Sequence, residues 1–243
     1  MRTNFLDVEF DRLTKDEVLD RLSSVTSADP FAYVVTPNVD HLVKLERNLF
    51  PGLRAILRDA RYCLCDSRVL SRLALLSGID LPVVPGSDLT AALFDHIIAP
   101  GDRIAVVGGD EAMAAALRQR FPQVEFVHCQ PPMGLRSDDR ALQETADFVT
   151  AQKARFTFLA VGFPQQEMVA ARAARDPAAR GMALCIGASL EFLTEHQKRA
   201  PRIVQRLGVE WAWRLAREPR RLWRRYLIEG PAIFGIAWRW RRR

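Results

Sequence analysis

Runs of apolar, often β-branched residues alternate along this chain with stretches whose apolar positions recur at helical spacing. FAYVVT (31–36), RYCLCD (61–66), RIAVVGG (103–109), VEFVHC (124–129), RFTFLAVG (155–162) and GMALCIG (181–187) read as strands. Helices are expected between them: one from about Asp40, RVLSRLALLSG after Ser67, EAMAAALRQRF, and two more at roughly 138–152 and 165–175. Ser67 suits the N-cap of the second helix and Gly78 its C′ position. Strands this uniformly apolar are buried on both faces. The pattern therefore predicts an α/β fold, a mostly parallel sheet with helices on both faces. Strand order does not follow from it.

Ligands of open α/β sheets bind beyond the carboxyl ends of the strands. That rule selects Thr36 and Asn38, Asp66, Gly108 and Gly109, the stretch Gly162 to Gln166, and Gly187 to Glu191 with Ser189 inside it. Asp66 ends an apolar strand, where its carboxylate can act as a general base or cap the next helix. Gly108 and Gly109 allow a tight turn into a helix N-terminus that can hold phosphate, but the full G-x-G-x-x-G is absent. Thr36-Pro37-Asn38 and Gly162 to Glu167 combine rigid turns with neutral hydrogen-bonding groups, which suit sugars or uracil and serve equally as plain turns. Cys63, Cys65, Cys129 and Cys185 fit no zinc spacing and read as small buried residues. No D-x-D occurs, so the usual metal clamp for a sugar-nucleotide diphosphate is missing, and neither a metal nor a cofactor is expected.

Charge divides the chain. From Arg199 onward there are thirteen arginines and three glutamates, a formal +10 against +6 for the whole protein, so the preceding residues are mildly acidic. All five tryptophans lie in the same segment. The composition changes near Lys198-Arg199-Ala200-Pro201, which separates an expected body, 1–198, from a helical, basic-aromatic C-terminal appendage, 199–243. Pro219 should split its first part into two short helices. Trp211, Leu215, Leu222 and Tyr226 form one stripe there, and Arg214, Arg217, Arg221 and Arg224 an adjoining one. IFGIAWRWRRR reads as amphipathic and interfacial. No apolar run is long enough for a signal peptide or a bilayer span, so the expectation is a cytoplasmic protein peripheral on an anionic inner-membrane surface.

Several blocks together resemble the WecG/TagA/CpsF family of bacterial glycosyltransferases. They are TPNVDHLVKLERN (36–48), Asp66, GSDL (86–89), VGFPQQE (161–167), IGASLEFLTEHQKRAP (186–201) and GVEWAWRLAREPRRLWRRYL (208–227). The resemblance implies a Rossmann-like body and an appendage that completes the site at the membrane. It implies inverting, metal-independent transfer from a UDP-sugar donor to a polyprenyl-diphosphate-linked acceptor. By position Asp66 matches the proposed base, Thr36, Asn38 and Gln166 match pocket residues, and Arg214, Arg221 and Arg224 match arginines thought to act on the diphosphate. Such enzymes can self-associate through the body. Two departures stand out: Val83 where an arginine is common, and Thr194-Glu195-His196 in place of a glycine-containing turn. Two other classes remain as alternatives. A nicotinamide-dependent oxidoreductase should close VEFVHC with an acid, not Cys129. A nucleic-acid binder explains the arginines but not the acidic body, and nucleic acid is not an expected partner.

Overall fold

The computed structural model describes residues 2–193, 204 and 210–242, without the side chains of Phe192, Glu210, Arg214 and Arg221. The expected boundary near Lys198 and the Thr194-Glu195-His196 loop lie outside these residues. The chain opens with an antiparallel hairpin, β1 (Arg2–Phe5) and β2 (Val8–Asp11). Both loop residues, Leu6 and Asp7, have positive φ (55° and 58°), as the twist of a two-residue hairpin requires. Helix α1 (Lys15–Ser23) follows, started by a capping box between Thr14 and Glu17.

Six strands form the main sheet: β3 (Ala32–Val35), β4 (Tyr62–Cys63), β5 (Arg103–Val107), β6 (Glu125–Cys129), β7 (Phe156–Leu159) and β8 (Met182–Cys185). All pairings are parallel, in the order β4-β3-β8-β7-β5-β6. The strands are shorter than the apolar runs that announced them. The polar and glycine residues at the ends of those runs leave the ladder and become the strand-end loops. At β4 the departure is earliest, though Leu64 N and Asp66 N still donate to Val35 O and Pro37 O, and Cys65 makes a parallel bridge with Val83.

Alternation along the strands feeds two cores. Val35, Cys63, Cys65, Val107, Leu159 and Cys185 face one side, with Phe5 and Phe10 of the hairpin. That layer also contains α2 (Val39–Glu46), α3 (Leu53–Asp59), α4 (Arg68–Leu75), α7 (Asp139–Gln152) and α8 (Gln165–Ala173). Val34, Ile104, Phe156, Phe158 and Leu184 face the other, under α1, α5 (Gly86–His96), α6 (Glu111–Arg120) and α9 (Ser189–Leu193). Cys63, Cys65 and Cys185 are buried free thiols, as expected; Cys129, on the edge strand, is only half-buried. Gly78 takes the expected C′ position after α4: at φ 75° its N–H donates to Leu75 O and the N–H of Ile79 to Ala74 O, which closes the helix in a Schellman motif.

The C-terminal segment is helical: α10 (Glu210–Arg217), α11 (Pro219–Trp223), a π-helical stretch (Arg224–Glu229) and α12 (Ala232–Arg241). Pro219 occupies the first turn of α11, where its missing N–H costs nothing. Helix α12 departs from the interfacial reading of its sequence. Ile233, Ile236 and Ala237 are buried in the same core as the hairpin, and Trp240 meets Phe5 edge-on at 5.3 Å. Its opposite face keeps Phe234 and Trp238 exposed, each at 57%.

Candidate active site

The strand-end residues form a continuous row across β4, β3, β8 and β7. Asp66 follows β4 half-buried, and its backbone N–H donates to Pro37 O at 3.2 Å, tying it to the loop after β3. The cap of α4 is not Asp66 but Ser67, whose hydroxyl accepts from Leu70 N. Asn38 caps α2: its Oδ1 accepts from Asp40 N at 3.0 Å, leaving its amide nitrogen for other partners.

Thr36 is 7% exposed and donates to Cys185 O at 3.3 Å, linking β3 to β8. Gly86, the first residue of α5, is pressed into the same junction. A Cβ there would lie 3.1 Å from Thr36 Oγ1 and 3.6 Å from Ser189 Oγ. This close approach explains the glycine of GSDL. Ser189 in turn donates to Ile186 O at 2.6 Å. Gln166, 3% exposed, spans the next gap: its Oε1 accepts the N–H of Gly187 at 2.9 Å, and its Nε2 donates to Glu167 Oε1 at 2.9 Å. Gly108 packs against β7, for a Cβ on it would meet Ala160 backbone atoms at 2.8 and 2.9 Å. The structure thus places Asp66, Thr36, Asn38, Ser189, Gly187, Gln166 and Gly108 in one row at the carboxyl ends of adjacent strands, the edge at which open α/β sheets form a ligand crevice.

Other candidates stand apart from that row. Gly109 turns at φ 72°, but the helix end beyond it is already capped by the Asp110 carboxylate, accepting from Met113 N. An acid at that position opposes the phosphate-holding role expected of it. Glu191 lies half-exposed on α9. Arg224 is exposed in the π-helical stretch, and the backbone of Arg214 and Arg221 lies in α10 and α11. A groove of about 810 Å³ runs elsewhere, between α3 and α8, lined by Tyr33, Phe50, Ile56 and Met168 among others. No group of three or more His, Cys, Asp or Glu able to hold a metal occurs among the described residues.

Three neighbours of this row carry polar contacts that the sequence did not single out. His41, at N3 of α2, accepts the Asn38 N–H on Nδ1 at 3.3 Å and stacks on Phe163 at 4.0 Å. Burial pushes its pKa down to about 3, so the imidazole is neutral, with its proton on Nε2. Arg225, not Arg224, reaches the body: its Nε lies 3.6 Å from Asp40 Oδ2, which Lys44 also holds at 2.9 Å. Burial acts upward on Asp40, yet Arg225 and Lys44 outweigh it and hold the carboxyl below its ordinary range. Glu167 is buried beside Gln166. His41 was signalled by its place three residues after the cap. Gln166 and Glu167 were signalled by lying on the buried stripe of α8 with Val169, Ala170 and Ala173.

This row of neutral donors with one carboxylate at a β-strand end accords with a direct comparison. Residues 3–243 match the glycosyl transferase WecG/TagA/CpsF family. The chain belongs to that family. Membership decides between the classes left open by the sequence in favour of glycosyl transfer, in polysaccharide biosynthesis, with a sugar donor and an acceptor. The parallel sheet with its helical C-terminal segment is the fold expected of a WecG/TagA/CpsF protein from the sequence resemblance. Among the described residues no helix is long and apolar enough to cross a membrane.

Proposed function

We propose that this WecG/TagA/CpsF protein moves a sugar from a UDP-sugar to a polyprenyl-diphosphate-linked saccharide, with inversion and without a metal, at the inner face of the plasma membrane. The observation that carries the reading is the position of Asp66. It stands at a strand end, and its backbone N–H, donating to Pro37 O, ties the residue to the loop that presents Thr36 and Asn38. In the proposed step Asp66 takes the proton from an acceptor hydroxyl as that oxygen attacks the anomeric carbon. The bond from that carbon to the β-phosphate oxygen breaks on the opposite side, and UDP leaves with the electron pair. Asn38 offers its amide nitrogen as a neutral partner for uracil, ribose or sugar hydroxyls, while Thr36, Gln166, Gly187 and Ser189, bonded within the protein, shape the pocket around the donor. Arg214, Arg221 and Arg224 supply positive charge toward the departing diphosphate, which guanidinium recognises in bidentate fashion.

The test is a panel of UDP-sugars with a short-chain polyprenyl-diphosphate saccharide in anionic vesicles containing EDTA, following UDP release. Acceptor-dependent release from one donor supports the reading and identifies that donor. In the same assay Asp66→Asn should lose about 10²–10⁴-fold in turnover, the range for a positioned general base, while UDP binding persists. Near-normal turnover by a folded Asp66→Ala protein would remove Asp66 from the base role.

A further inference from the structure

Glu167 enters the core beside Gln166 at the start of α8. It is 1% exposed, and carboxylates are almost never so deeply buried unless paired. Among the described residues it has no ion pair. Oε1 accepts from Gln166 Nε2, at 2.9 Å, the residue's own backbone N–H also acts on the carboxyl, and Oε2 has no hydrogen-bond partner among the described residues. Burial pushes its pKa up to about 7, against a weaker opposing effect from Gln166. Such a group does not stabilise a core; an apolar residue of the same volume would do so better. Its role therefore lies in what it holds.

It holds a side chain whose two ends have the same shape and opposite hydrogen-bonding character. As found, the Gln166 oxygen faces the N–H of Gly187 and the nitrogen faces Glu167. Turned over, the amide would set N–H against N–H at Gly187 and oxygen against oxygen at Glu167. The Gly187 N–H and the ionised Glu167 together select the one orientation in which Gln166 joins the loop after β7 to the loop after β8. Gly187 sits in a left-handed turn at φ 54°, two residues before Ser189, which shares its packing with Gly86 and Thr36. The clasp is thus continuous with the rest of the crevice.

We propose that Glu167 is a positioning residue: it fixes the Gln166 amide so that this side chain clasps Gly187 and holds both strand-end loops at the spacing the donor nucleotide needs. The functional half of this statement rests on the reading of the crevice as the UDP-sugar site. The clasp itself does not.

The experiment uses the full chain. Glu167→Leu keeps the volume and removes the acceptor. Amide exchange at Gly187, followed by NMR without ligand, should accelerate by about 10-fold or more as the clasp opens. The thermal midpoint should stay level or rise, and UDP affinity should fall by about 10- to 100-fold, as misplaced binding groups do. Glu167→Gln still offers an amide oxygen and should restore affinity to within a few-fold of wild type. In a Gln166→Leu background, Glu167→Leu should add nothing, because both act through one contact. Unchanged Gly187 exchange in Glu167→Leu would overturn the clasp whatever the substrate proves to be. Faster exchange with unchanged UDP affinity would overturn the positioning role. Failure of the wild-type protein to bind UDP would instead count against the proposed function, while the exchange measurement would still decide the clasp.

Discussion

Arg225 reaches from the π-helical stretch to Asp40 in the first turn of α2, Nε to Oδ2 at 3.6 Å, on an oxygen already held by Lys44. Asp40 is two residues beyond Asn38, so the C-terminal segment touches the body beside the crevice. At the far end of the same helix, Arg239 lies 3.8 Å from Glu46. The segment therefore runs along α2 and is pinned near both ends. Asp40→Asn should loosen the pin at the crevice. Because the Arg225 side chain is 37% exposed, screening limits the loss of stability to about 1 kcal/mol. Turnover should suffer more than that, since the arginines carried by this segment lose their place. A double-mutant cycle with Arg225→Gln, read by urea unfolding and by kcat/KM, should show coupling in both. Strict additivity in kcat/KM would mean that the contact does not position the segment.

Glycines at the strand ends should differ sharply in what they tolerate. Gly108 has φ 96° and a Cβ would meet Ala160 backbone atoms, which cannot move aside. Gly108→Ala should cost about 3 kcal/mol or more, strain and overlap together. Gly187 also has positive φ, but a Cβ added there would meet nothing within 4 Å. Gly187→Ala should cost only about 1–2 kcal/mol, the left-handed penalty alone. Urea unfolding of the two variants measures the difference, and equal losses would contradict the packing argument for Gly108.

How much of this was legible beforehand depends on the kind of signal. The six sheet strands were, because burial on both faces leaves an uninterrupted apolar run, and so were the strand-end positions. The β1–β2 hairpin was not: its loop is Leu6-Asp7, held at positive φ without the glycine or asparagine that marks such turns. Helix α5 starts at Gly86 behind Pro85 with no side-chain cap to announce it. Strand order depends on which helices cover which face, and no strand encodes that alone. The arginine stripe runs through Arg224, three residues after Arg221, but Arg225, four residues after it, fits helical spacing equally well, so spacing does not decide which of the two meets Asp40. Arg225 and Arg224 are chemically identical neighbours, and only the backbone tells them apart.

Two buried titrating groups should give stability opposite slopes with pH. His41 has a folded pKa near 3 against 6.5 when free, so between those values the unfolded chain binds the extra proton. Stability from this site rises with pH across that window and is lost on acidification. Glu167 has a folded pKa near 7 against 4.5, so there the folded chain binds the extra proton and stability falls as pH rises from about 4.5 to 7. Glu167→Gln should remove the second slope, gaining stability relative to wild type at pH 8 and little at pH 4.5. Denaturant unfolding at pH 4.5, 6 and 8 separates the two, and an unchanged pH profile in Glu167→Gln would show that its carboxyl does not titrate in that range.

The outward face of the C-terminal segment is where proposed membrane docking can be tested without disturbing the fold. Trp223, Leu227, Ile228, Phe234 and Trp238 are 45–57% exposed, whereas Ile233 and Ile236 on the opposite side of α12 are buried against the body. Arginines flank the exposed set, so the face offers both apolar contact and attraction for anionic headgroups. Phe234→Ser with Trp238→Ser should leave the thermal midpoint nearly unchanged, because neither side chain belongs to the core. Co-sedimentation with vesicles containing anionic lipid should fall by about 10-fold or more, since each lost aromatic removes a large buried apolar area. Ile236→Ser should act the other way round, lowering stability by about 2–4 kcal/mol through an unfilled, polar core position. Removing the whole segment is the poorer experiment, because it also strips Ile233, Ile236 and Trp240 from the hairpin core and confounds docking with unfolding. If the double serine variant still sediments with vesicles as wild type does, the exposed face is not the docking surface, and attraction between arginine and lipid charge is left to account for any binding, with the steep salt dependence that follows from it.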